Sequence, residues 1–221
     1  VSLTAYGAIF GSIAAATSNV TLMAEYRTFC NASDICALID TDDKTLYIDA
    51  EIFLPKFFRG TGDSETGQPI SISGGDVVYR YNTHGVGSGL YIDGNFKVQA
   101  GQFHSLSNIR IHPINDGKFI LDGFNSGVGL FWCKFTDIRA ILYFDLSVFA
   151  VNQNQFINCN PFGETDQFAI EISDNGNVGT KRECHMNQFI GCDLSRSKGA
   201  INTSDLNQLN FIIGGYGEAM T

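Results

Sequence analysis

Four segments place carboxylates where a strand would show them to solvent. "GLYIDG" (89–94), "KFILDG" (118–123) and "ILYFDL" (141–146) each close on Asp, and "FAIEIS" (168–173) carries Glu in its middle. Side chains alternate across a strand. With Leu90, Ile92, Phe119, Leu121, Leu142, Phe144, Ile170 and Ile172 turned inward, an outer column forms from Asp93, Asp122, Asp145 and Ser173. A second column beside it holds Tyr91, Ile120, Tyr143 and Glu171. If the segments stack as neighbouring strands, Asp122 and Asp145 lie ~5 Å apart and Asp145 and Glu171 ~8 Å apart. Those separations bracket the retaining and inverting arrangements of a two-carboxylate glycosidase. Two like charges that close raise one pKa, as a general acid requires. Asp122, Asp145 and Glu171 are therefore the candidate catalytic groups.

Tyr91, Asp93 and Tyr143 are the candidates for holding sugar rings and hydroxyls beside them. "FWCKF" (131–135) adds Trp132 and Lys134, expected outside a strand whose Phe131, Cys133 and Phe135 face in. An outward Trp serves either as a stacking platform for a sugar or as a subunit contact. Competing explanations accompany each carboxylate. Asp before Gly, as at Asp93 and Asp122, is also a turn former. Glu171 lies away from a turn, and its rival is an exposed structural carboxylate. Lyase chemistry would instead need a base such as Tyr143 or His104 and a neutralising cation such as Lys134.

These columns exist only if the segments stack, and a repeat argues that they do. "VNQNQFINCN" (151–160) is echoed by "HMNQFIGCDL" (185–194). Related segments anchor at Leu106, Phe135, Phe156, Phe189 and Phe211. Two residues past each anchor stand Asn108, Asp137, Asn158, Gly191 and Ile213; four of the five tolerate the left-handed backbone of a tight bend. A second series, anchored at Ile92, Leu121, Phe144, Ile172 and Thr203, alternates with the first. Elastic spacing between two short strand patterns indicates a coiled sheet, since a helical repeat would hold period 3.6. The expected fold is all-β: a right-handed single-stranded parallel β-helix, with recognisable rungs from about residue 89 onward. Residues 1–43 are expected to form a capping segment with a short helix over 20–33, and residues 44–221 the rungs. The helix would cover the open end of the sheet.

Bulk properties exclude several classes. The 221 residues are 44% hydrophobic and 12% aromatic, with a net charge of −9. That charge argues against a nucleic-acid partner, which needs a basic stripe. No apolar run reaches the ~20 residues of a membrane span. Cys30, Cys36, Cys133, Cys159, Cys184 and Cys192 make no C-x-x-C pair, and the four histidines show no ligand spacing, so no metal site is expected. The cysteines read as buried thiols, with disulfides left open. "GVGSG" (85–89) and "SGVG" (126–129) lack the helix and Lys of a phosphate loop, and no cofactor is expected. The chain starts at Val1 without Met, as a processed product or a piece of a longer protein would.

The order "LTAYGAIFG" (3–11), a helix, "TLYIDAEIFLP" (45–55) and then irregular rungs resembles the pectate-lyase-like β-helices of bacteriophage tailspikes and capsule depolymerases. The Asp-rich segment usual after such an opening is replaced by "GSIAAATSNVT". The resemblance implies a homotrimer on a virion tail that binds, and usually cleaves, a bacterial surface polysaccharide. It supplies no catalytic motif. Polygalacturonase and pectate lyase signatures are missing, "NTSD" (202–205) being only an approximation to one of them. The functional expectation is a polysaccharide depolymerase, most simply a hydrolase. A structural or glycan-adhesive β-helix that does no chemistry is the alternative.

Overall fold

The computed structural model describes residues 1–40, 44–60, 70–80, 84–99, 101–102, 105–111, 117–122, 130–146, 150–160, 168–173, 184–194, 199–203 and 211–216. The chain winds into a parallel β-solenoid. A ten-stranded sheet runs in chain order from Ala37–Ile39 to Phe211–Tyr216, and a seven-stranded sheet from Ile52–Phe53 to Gly199–Thr203. A further three-stranded sheet joins Gly101–Gln102, Leu130–Phe131 and Val151–Asn152. Parallel crossovers of this kind are right-handed. The coil begins well before residue 89, because Ala37–Ile39 already pairs with Phe58–Gly60.

The fold forms because each coil has an apolar inner face that only the next coil can cover. Phe135, Phe156 and Phe189 stack at ring separations of 5.0 and 4.9 Å, and Phe144 packs against Phe156 at 5.5 Å. Each of these rings is fully buried. Ile109, Ile138, Cys159 and Cys192 occupy one inward column, all at zero exposure. No disulfide forms: five of the six thiols are buried and Cys36 is exposed.

Corners are set by left-handed residues. Asn108, Asp137, Asn158 and Gly191 have φ of 57, 53, 51 and 62°, as the repeat predicts. The fifth member is shifted by one. Phe189 pairs with Ile212, Gln188 pairs with Phe211, and the bend falls on Gly214 at φ 55°. Glycine adopts that backbone freely whereas β-branched Ile213 would be strained. A second corner stacks Trp132, Gln153 and Met186 at φ 56, 59 and 58°. Inside it runs a buried asparagine ladder. Asn154 Oδ1 accepts from the Cys133 amide at 2.9 Å, and Asn154 Nδ2 donates to Leu130 O at 3.2 Å and to Asn187 Oδ1 at 3.0 Å.

The N-terminal helix spans Ala16–Ala32, four residues earlier than the apolar pattern suggests, because Ala16 and Asn19 are also on its buried face with Met23, Tyr26 and Cys30. It rests on the first coil. Asn19 Nδ2 donates to Tyr47 O at 2.9 Å, and the Tyr26 hydroxyl donates to Val1 O at 2.7 Å.

Candidate functional site

The carboxylate column is built by the seven-stranded sheet. Lys118–Asp122 pairs with Ile141–Asp145, setting Asp122 opposite Asp145 and Ile120 opposite Tyr143. The next strand, Phe168–Ser173, sets Glu171 against Tyr143 and Ser173 against Asp145. Buried Phe119, Leu121, Leu142, Phe144, Ile170 and Ile172 alternate with these groups, so the outward direction of the carboxylates follows from apolar burial alone.

One member belongs elsewhere. Asp93 ends the ten-residue strand His84–Asp93 of the other sheet, where its neighbours are Ser73 and the strand Ser105–Ile111. Ser73 Oγ donates to Asp93 Oδ2 at 3.0 Å, and Gly94 follows at φ 156°, so Asp93 closes a strand at a turn. Ile92 likewise pairs with Ile111 and Ile72, and it is Val98 that stands opposite Leu121. Gln99 takes the position expected for Asp93 and Lys97 the one expected for Tyr91. Tyr91 pairs through its backbone with Arg110; its side chain, like all of His104, lies outside the described residues.

Asp122 is a half-buried carboxylate of the column. Its Oδ1 is buried with no hydrogen-bond partner among the described residues, while Oδ2 accepts from Gln99 Nε2 at 3.3 Å. Burial, and then the charge of Asp145, push its pKa up, against the opposing pull of Gln99, Lys97 and Arg80. Strand spacing puts Asp122 and Asp145 about 5 Å apart. Glu171 is engaged differently: Lys118 Nζ lies 2.7 Å from Glu171 Oε2 and 4.7 Å from the centre of the Tyr143 ring. The three form a cation bridge across neighbouring coils, which sequence reading missed because Lys118 is two residues before Ile120, the position in register with Tyr143 and Glu171, and reaches them diagonally.

Trp132 and Lys134 are away from this column. Trp132 sits at the corner between Leu130–Phe131 and Lys134–Thr136, left-handed and 48% exposed, instead of in mid-strand; Phe131 is half-buried and Leu130 takes the inner position. Together with Gln153, Gln155, Met186 and Gln188, Trp132 and Lys134 line a groove of about 520 Å³ beside the ten-stranded sheet. Gln155 and Gln188 are joined by a 3.2 Å amide hydrogen bond. This groove and the paired carboxylates are thus on different walls. The amide residues carried a signal in sequence, the repeated Asn-Gln before Phe-Ile. No group of three or more potential metal ligands occurs among the described residues.

The fold and the two walls define a parallel β-solenoid with a stacked acidic pair. No protein family, curated protein or solved structure matches the chain.

Proposed function

We propose that the protein is a tailspike-type module that binds a bacterial surface polysaccharide on its outer wall and hydrolyses it with Asp122 and Asp145. The observation that carries this reading is the directly opposed pair, one member half-buried with an oxygen that has no partner among the described residues and a raised pKa. A separation of about 5 Å suits the retaining arrangement. The raised pKa keeps a larger fraction of Asp122 protonated than an ordinary carboxyl, and in that fraction it gives its proton to the glycosidic oxygen as that bond breaks. Asp145 attacks the anomeric carbon and forms a glycosyl ester. Asp122, now a carboxylate, takes a proton from water, which displaces the Asp145 oxygen and restores both groups. Tyr143, fixed under Lys118, offers a ring face to the sugar, and Glu171 holds Lys118 in place. The stacked-coil architecture and the helix-capped opening support assignment to a trimeric virion appendage acting outside the cell.

Incubation with a panel of capsular and O-antigen polysaccharides is expected to release new reducing ends. Asp122→Asn and Asp145→Asn are each expected to lower the rate by at least about 100-fold, the scale of general acid–base catalysis. Unchanged rates in both variants would remove the reading.

A second reading, glycan adhesion without cleavage, is favoured by the Trp132 groove. An aromatic face beside a row of side-chain amides suits a sugar's apolar face and hydroxyls. Glycan binding that is lost in Trp132→Ala, with no reducing ends released by the wild type, would select it.

A further inference from the structure

At the corner between the two large sheets, Arg110 and Arg139 are Cα partners on adjacent coils. The backbone there is locked, with Ile111 N donating to Arg139 O at 3.0 Å and Arg139 N donating to Ile109 O at 2.9 Å. Both arginines point outward, because Ile109 and Ile111 flank one and Ile138 and Ala140 the other, all four buried. Their Cα atoms are therefore about 4.8 Å apart, with side chains leaving in the same direction. Like charges directly opposite each other are destabilising. No salt bridge engages either guanidinium among the described residues. Down the same column come Asn160 and then Asp193, whose carboxylate accepts from Asn160 Nδ2 at 3.5 Å. Asp193 is two coils from Arg139, about 10 Å away. Arg110 is also held below its ordinary pKa by burial and by the charge of Arg139.

On a chain with net charge −9, two stacked cations that form no salt bridge among the described residues offer a place for an anion. A guanidinium carries paired N–H donors, which match a planar carboxylate bidentately. The corner also continues into the acidic wall. Arg139 lies on the same coil as Tyr143 and Asp145, six residues from Asp145 and so at most about 20 Å from it. We propose that Arg110 and Arg139 form a carboxylate site for a uronic acid residue of the glycan, which makes the polysaccharide an acidic one. This substrate class rests on the depolymerase reading above; the anion site itself does not.

The test is binding of sodium glucuronate, compared with glucose and with sodium sulfate, at ionic strength held constant with potassium chloride. Wild-type protein is expected to bind glucuronate in preference to both, and Arg110→Gln and Arg139→Gln each to weaken it about tenfold, the scale of one charge-assisted hydrogen-bonded contact. Arg139→Lys keeps the charge but loses the fork, so an intermediate weakening is expected. Relief of like-charge repulsion leaves the variants folded, which circular dichroism checks. Equal binding of glucose or of sulfate, or undiminished binding in the two Gln variants, would overturn the site. The same proteins are then given acidic polysaccharides. Arginine-dependent glucuronate binding without new reducing ends sustains the site and rejects the depolymerase reading. Equal cleavage by wild type and both Gln variants does the reverse.

Discussion

Replacing Asp122 with Asn should stabilise the protein at neutral pH and leave it unchanged near pH 3. Two unit charges about 4.8 Å apart repel by about 3.5 kcal/mol at an effective dielectric of about 20 and by about 0.9 kcal/mol in bulk water. Asp122 and Asp145 are half-buried on a wetted wall, between those limits, so about 1–2 kcal/mol is expected. Burial and Asp145 raise the folded pKa of Asp122 above 3.8. Well below that value the group is protonated whether folded or unfolded, and it contributes no pH dependence. As pH rises, the unfolded chain ionises first, so native stability falls until pH passes the folded pKa. Asparagine escapes this loss: its oxygen can still accept from Gln99, and its amide can donate toward Asp145. For a chain of this size, 1–2 kcal/mol corresponds to a rise in Tm of about 2–8 °C. Thermal unfolding followed by circular dichroism at pH 7 and pH 3 measures it. A lower Tm at pH 7, or the same rise at both pH values, would refute the repulsion argument.

Phe156→Ala removes the ring shared by the Phe135, Phe144 and Phe189 contacts and should cost about 3–5 kcal/mol in urea unfolding. Asn154→Ala strips the Cys133 amide and Leu130 carbonyl of buried partners, and the same assay should show a loss of about 1–3 kcal/mol. Thiol titration of the native protein should label Cys36 rapidly, and the remaining five thiols only on unfolding.

The recurrence of large apolar residues was enough, without any structure, to indicate the coil. An inner wall that repeats must be filled by side chains that repeat, so Leu106, Phe135, Phe156 and Phe189 announce their own register, as do Leu121, Phe144 and Ile172. The opposition of Asp122 and Asp145 follows from that, because outward positions are carried along by inward ones. Tertiary structure alone decided what the local pattern left degenerate. "GLYIDG" and "KFILDG" look alike, yet their sheets differ, since a strand's identity depends on how much chain precedes its bend: His84–Asp93 spends ten residues in the first sheet. Nor does sequence proximity reveal that Arg110 meets Arg139, that Lys118 reaches Glu171, or that Trp132 turns a corner beside Gln153 and Met186. These are contacts between coils, and their partners are fixed by loop lengths and stacking, which no window of residues contains.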